Sequence, residues 1–267
     1  MTLRWMFIVC LVAGAALACS RDNPAAPRED TAHDESVPVG FTISDVVSGS
    51  VSDSRFVAAR SVASAYVSAV PHTFAEPAEV VSIRNVTTLG RPLNLPLTMG
   101  GFDPVRIEGE EGDEVSISIY GHADKLSEVK VRIPPRRPPR IVRTYPDKGR
   151  IDVALNVVIE VVFTEPIDPA SVDNTSVSVL RDGAAISGTL RVRNNSLTAE
   201  FLPENPLEPG TEYTLSVSQQ VRDLDHEPLS EPAVLSFRTI EAVSSLKTLI
   251  VSTSTTSVSG GPVDPDG

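Results

Sequence analysis

Between Val157 and Phe163 the apolar side chains fall at every second position. Val157, Ile159, Val161 and Phe163 share one face of an extended chain and Glu160 takes the other, the pattern of a strand with one face in a core. The pattern predicts a strand over 156–163. It ends in Thr164-Glu165-Pro166-Ile167-Asp168-Pro169, where two prolines stop a hydrogen-bonded ladder from continuing. Short alternating segments of this kind recur along most of the chain, separated by Gly, Pro, Asn and Asp. A chain so punctuated is all-β: long Leu/Ala/Glu/Lys tracts are missing, and Val, Ser, Thr and Pro recur throughout.

The chain is long enough for one large or two ordinary domains at 267 residues, and 41% hydrophobic with 22% charged is a globular composition. A net charge of -12 repels nucleic-acid phosphates and excludes nucleic acid as a partner. Cys10 and Cys19 are the two cysteines, both near the N-terminus, so the body has neither a disulfide framework nor a multi-cysteine metal site.

The N-terminus reads as an export signal. Arg4 precedes an apolar run from Trp5 to Leu17 that is too short for a membrane span, followed by small residues. The segment Ala16-Leu17-Ala18-Cys19-Ser20 resembles a bacterial lipoprotein box. The resemblance implies a signal peptide over 1–18, diacylation of Cys19, and a membrane partner reached through that lipid, and Ser20 after the cysteine resembles the outer-membrane sorting signal of some bacteria. Cleavage after Ala18 without acylation is the alternative and gives a secreted protein. Residues 19–37, rich in Pro, Ala, Asp and Glu, are too poor in large apolar groups to order themselves and read as a flexible tether reaching about 20 to 25 Å.

Residues 38–134 carry alternating segments at 65–70, 79–86, 93–97, 114–120 and 127–133, which predict a small β-sandwich. The run from Gly100 to Val105 resembles β-sandwich modules of bacterial envelope proteins. Glu108, Glu110, Glu111, Asp113 and Glu114 crowd what reads as one hairpin, a solvated turn or a Ca²⁺ loop, although the spacing of a calcium loop is not reproduced. Then follows Ile133-Pro134-Pro135-Arg136-Arg137-Pro138-Pro139-Arg140, which the prolines hold extended as a stiff spacer. Arg136, Arg137 and Arg140 are candidate binding residues for an anionic envelope glycan or protein; the alternative is a solubilising linker.

Residues 135–241 supply the remaining strands, over 140–144, 156–163, 176–180, 186–192, 196–202, 211–217 and 233–239, the immunoglobulin-like number without the Cys-Trp-Cys core of antibody domains. Tyr145-Pro146-Asp147, Phe163-Thr164-Glu165-Pro166-Ile167-Asp168, Leu207-Glu208-Pro209-Gly210-Thr211-Glu212-Tyr213, Asp223, Pro228-Leu229 and Phe237-Arg238-Thr239 together resemble the bacterial Ig-like domain family of S-layer and surface proteins. The resemblance makes the Glu165 corner a turn and Tyr213 a structural corner tyrosine. The sequence departs from that family at Asp225-His226-Glu227, where relatives carry Ala-Gly-Asn. Asp223, Asp225 and Glu227 are candidate ligands for a cation such as Ca²⁺, with His226 as a further one; the alternative is a wet acidic loop. The 242–267 segment reads as a Ser/Thr-rich linker or the start of a further domain.

No nucleophile elbow, zinc-helix motif, phosphate loop or dinucleotide fingerprint is present, so the sequence gives catalysis no visible home and implies no cofactor. The expected function is that of a lipid-anchored cell-envelope protein whose Ig-like modules serve as a structural spacer or a protein- or glycan-binding module. An accessory N-terminal part of a larger surface enzyme and a calcium-dependent adhesin are the alternatives.

Overall fold

A computed structural model describes residues 38–47, 63–122 and 124–242. The export signal, Cys19, the tether up to residue 37 and the tail beyond 242 lie outside the described residues. Among the described residues the chain is all-β, as expected. Fifteen strands form four antiparallel sheets, and the helical element is one 3-10 turn, Pro169–Ser171.

The first sandwich sets β1 (Phe41–Ile43), β2 (Ser64–Ala69) and β5 (Phe102–Glu108) against β3 (Val80–Asn85), β4 (Leu93–Pro96), β6 (Glu114–Tyr120) and β7 (Lys125–Arg132). The sheet orders are β1-β2-β5 and β4-β3-β6-β7. Val115, Ile117 and Ile119 point from β6 into a core shared with Val81 and Ile83 of β3 and with Phe41, Ala65, Val67 and Ile107 of the facing sheet. This is the period-two rule of a half-buried strand.

One sequence expectation fails here. The acidic cluster at 108–114 is not a hairpin: β5 pairs with β2, while β6 pairs with β3 and β7, so residues 109–113 carry the chain from one sheet to the other. Strand β5, which is not among the expected alternating segments, contains Pro104. It is tolerated because β5 is an edge strand and Pro104 sits where the pairing with β2 slips between Val67 and Ala69.

The second sandwich sets β8 (Ile141–Tyr145), β9 (Ile159–Phe163), β12 (Gly188–Arg193) and β13 (Thr198–Pro203), in the order β12-β13-β9-β8, against β10 (Val177–Arg181), β11 (Ala184–Ala185), β14 (Glu212–Val217) and β15 (Ala233–Arg238), in the order β11-β10-β14-β15. Ile159, Val161 and Phe163 enter its core beside Val177, Val179, Phe201, Leu215 and Phe237. The strand expected from Asn156 begins only at Ile159. Val157 lies in a turn, its N–H on the Ala154 carbonyl, yet its side chain still fills the same core. Tyr213 occupies the corner role: its hydroxyl accepts the Glu208 N–H at 2.9 Å while its ring stacks on Phe237 with centroids 5.8 Å apart.

Val142 and Val162 point to the outer face of the β8–β9 sheet and are nevertheless buried. That face is covered where the first sandwich meets it. Val142 and Arg143 line one groove together with Ala69, Phe102 and Asp103.

Candidate functional site

Among the described residues, a group of interacting ionisable side chains gathers at the meeting of the two sandwiches. It is assembled from the spacer at 133–140, the turn after β1, the corner after β9 and the acidic loop between β14 and β15.

The spacer is not a free strap. Ser230 N–H bonds to the Pro139 carbonyl, and Arg140 exchanges bonds with Thr164, whose hydroxyl accepts the Arg140 N–H at 2.9 Å and whose own N–H bonds to the Arg140 carbonyl. Arg137 turns towards the first sandwich: its backbone N–H donates to Asp45 Oδ2 at 3.1 Å and its guanidinium to the Ile43 carbonyl at 3.1 Å. Burial holds the Arg137 guanidinium below its ordinary value, with Arg140 adding to the effect. Arg136 pairs with the buried carboxylate of Glu227. Of the three candidate binding arginines, two are therefore engaged within the protein, and the Arg140 side chain is exposed.

The corner after β9 places Glu165 inside. Its side chain is 1% exposed, and it follows Phe163 and precedes Ile167, both fully buried. The corner is held by the Ile167 N–H on the Ser196 carbonyl and by the Asp168 N–H on the Arg222 carbonyl, which ties it to the start of the acidic loop. Burial, then the neighbouring Asp45 and Asp223, push the Glu165 carboxyl up to about 9. Asp45, also buried, is raised by burial and partly restored by the Arg137 N–H.

The acidic loop folds around Asp223. Its Oδ1 accepts the N–H groups of Asp225 at 2.9 Å and Glu227 at 2.7 Å, the side-chain turn that Asp forms with backbone two residues on. Burial raises the Asp223 carboxyl to about 6 against these bonds. His226, where the resembling family has glycine, takes φ 67, so the glycine-type turn is kept with a bulkier residue. Of the three candidate cation ligands, Asp223 caps the turn, Glu227 pairs with Arg136, and Asp225 is exposed. Among the described residues no three His, Cys, Asp or Glu side chains are grouped to hold a metal ion.

A second contact ties the sandwiches directly. Arg143 on β8 donates from Nε and Nη2 to the two carboxylate oxygens of Asp103 on β5, both at 2.7 Å. Sequence reasoning found Arg136, Arg137 and the acidic loop, but it missed Asp45, Asp103 and the burial of Glu165. The alternation that ends at Phe163 carries no sign that a carboxylate two residues on is inside.

Two facing antiparallel sheets with a tyrosine corner define an immunoglobulin-like β-sandwich. Residues 135–239 match the family described as bacterial Ig-like domain, and this part of the chain is such a domain. Among solved structures, the S-layer protein SbsC is 22% identical with a TM-score of 0.30, over 38% of this chain and 14% of that one. The BSP domain of a biofilm associated protein is 19% identical with a TM-score of 0.30, over 68% of this chain and 28% of that one. A two-domain fibronectin type III segment from chicken tenascin is 14% identical with a TM-score of 0.22, over 76% of this chain and 99% of that one. A search of curated proteins found no match. Among the described residues no helix is long and apolar enough to cross a membrane.

Proposed function

We propose that this is a cell-envelope protein anchored by a lipid on Cys19, whose two sandwiches act as a spacer of fixed geometry and hold whatever follows or binds them at a set distance from the membrane. The observation that carries the spacer reading is the polar joint. A flexible hinge would leave the spacer arginines in water, whereas here Arg136 and Arg137 are bonded into the two sandwiches and Arg143 forks onto Asp103. Such two-pronged pairs fix orientation as well as adding energy. The lipid reading rests on Ala16-Leu17-Ala18-Cys19 and on the Pro- and acid-rich stretch that follows it.

Mass spectrometry of the mature N-terminal peptide, combined with membrane fractionation, tests the anchor. A diacylated Cys19 and loss of membrane association in Cys19→Ser are expected. An unmodified N-terminus in the soluble fraction would replace the anchor with simple secretion and leave the joint untouched.

A further inference from the structure

The carboxyl groups of Asp45 and Glu165 belong to different sandwiches and are neighbours across the joint, each acting on the other. Two ionised carboxylates are acceptors only, so this contact is a hydrogen bond only when one of them carries a proton. Glu165 is placed to be that one. Its Oε1 is the one buried side-chain polar atom among the described residues with no hydrogen-bond partner, and a neutral carboxyl is far less costly to bury in this way than a carboxylate. Asp45 is placed to be the ionised member, because the Arg137 N–H serves its Oδ2.

The charges around the pair agree with this assignment. From the spacer, Arg137 faces both carboxyls and Arg140 stands behind it. From the loop between β14 and β15, Asp223 and Asp225 add negative charge beside Glu165, while Arg136 offsets Asp223 and pairs with Glu227. A divalent cation would also draw carboxylates together, but Asp223 Oδ1 already accepts two backbone N–H groups, Glu227 is taken by Arg136, and the Arg137 guanidinium stands where a cation would be repelled. The neighbours favour a proton.

We propose that Glu165 and Asp45 share a proton and that this proton closes the joint between the two sandwiches. With the proton present, the Glu165 O–H donates to the Asp45 carboxylate. When it leaves, two like charges face each other in a site shielded from water, and the sandwiches separate there. This deepens the spacer reading by making its geometry responsive to pH, and it stands independently of the lipid anchor.

The test uses the purified full chain. Infrared spectroscopy at neutral pH is expected to show the carbonyl band of a protonated, water-excluded carboxyl, lost in Glu165→Gln and lost in the wild type as the pH passes about 9, where the Glu165 carboxyl ionises. The thermal midpoint of Glu165→Gln is expected to decline less than that of the wild type between about pH 6 and pH 9, above the range in which Asp223 also contributes. Asp45→Asn, which removes the neighbouring charge and offers an amide donor, is expected to move the wild-type transition to lower pH, and it keeps the test open if Glu165→Gln fails to fold. Absence of the band at neutral pH, or an unmoved transition in Asp45→Asn, would overturn the proposal. So would a midpoint raised by Ca²⁺ and lowered by chelator in the wild type but not in Glu165→Gln, since the pair would then hold a cation.

Discussion

Arg143 on β8 and Asp103 on β5 meet in a two-pronged ion pair, Nε to Oδ1 and Nη2 to Oδ2, each 2.7 Å, that joins one sandwich to the other. Asp103 raises the Arg143 guanidinium above its ordinary value, and Glu160, 3.7 Å from Nη1, adds to the attraction. Both partners remain partly in solvent, so the pair contributes at most about 1 kcal/mol to global stability. Arg143→Lys loses the fork while keeping the charge. It is expected to leave the thermal midpoint nearly unchanged and to increase amide hydrogen exchange along β5 and β8.

Glu165 and Asp223 set the pH dependence. A carboxyl raised on folding keeps its proton in the native state after the unfolded chain has released it, so stability falls as pH rises through that window. For Asp223 the window runs from 3.8 to about 6, and for Glu165 from 4.5 to about 9. Glu128, Asp152 and Asp173 are held below their ordinary values, chiefly by Lys125, Arg150 and Thr175 respectively, and their contributions disappear as pH falls instead. Urea denaturation is therefore expected to give greater stability at mildly acidic pH than at pH 9, with the slope reduced in Glu165→Gln.

His226 occupies a left-handed turn position, φ 67, in the acidic loop. A side chain there costs on the order of 1 kcal/mol, which glycine avoids, although glycine returns part of the gain through a freer unfolded chain. The ion pair lost with it is weak, since His226 Nδ1 lies 4.0 Å from Asp168. His226→Gly is expected to raise the midpoint slightly, as read by calorimetry.

Phe163 ends β9 fully buried in the core of the second sandwich. Phe163→Ala is expected to cost about 3–5 kcal/mol through lost burial and the cavity left behind. Tyr213→Phe keeps the ring on Phe237 but leaves the Glu208 N–H without its acceptor, an expected loss of about 1 kcal/mol. The two losses in denaturation midpoint separate core packing from the corner bond.

Gly101 explains part of the Gly100-Gly101 run. A Cβ there would stand 2.5 Å from the Val70 carbonyl oxygen and 2.6 Å from that of Ala69, backbone atoms that cannot swing aside. Gly101→Ala is expected to destabilise the first sandwich, with amide exchange in β2 and β5 rising first.

The fold was legible where alternation was clean. The pattern of Val115, Ile117 and Ile119 matched β6 over Glu114–Tyr120, and Ile159, Val161 and Phe163 marked the core face of β9. It failed where pairing partners decide the outcome, because Pro104 is acceptable only on an edge strand and the 109–113 segment is a crossing only because β5 and β6 belong to different sheets. The joint was least legible. Arg136 and Arg137 stood out as charge, but nothing local distinguishes a solvated arginine from one whose guanidinium reaches a carbonyl distant in sequence, as that of Arg137 does at Ile43. Glu165 looked like any residue of an acidic turn, and the groups that act on it inside, Asp45 and Asp223, come from distant parts of the chain.

The central claim is that the two sandwiches are held in one arrangement by the joint. The most direct measurement is the electron–electron spin distance, in the full chain with Cys10 and Cys19 replaced by serine, between labels at the exposed positions Leu126 and Val234, introduced as Leu126→Cys and Val234→Cys. A single narrow distance distribution at neutral pH, broadened when Arg137→Ala and Arg143→Ala are added, is the expected result. A distribution already broad before those substitutions would contradict the account.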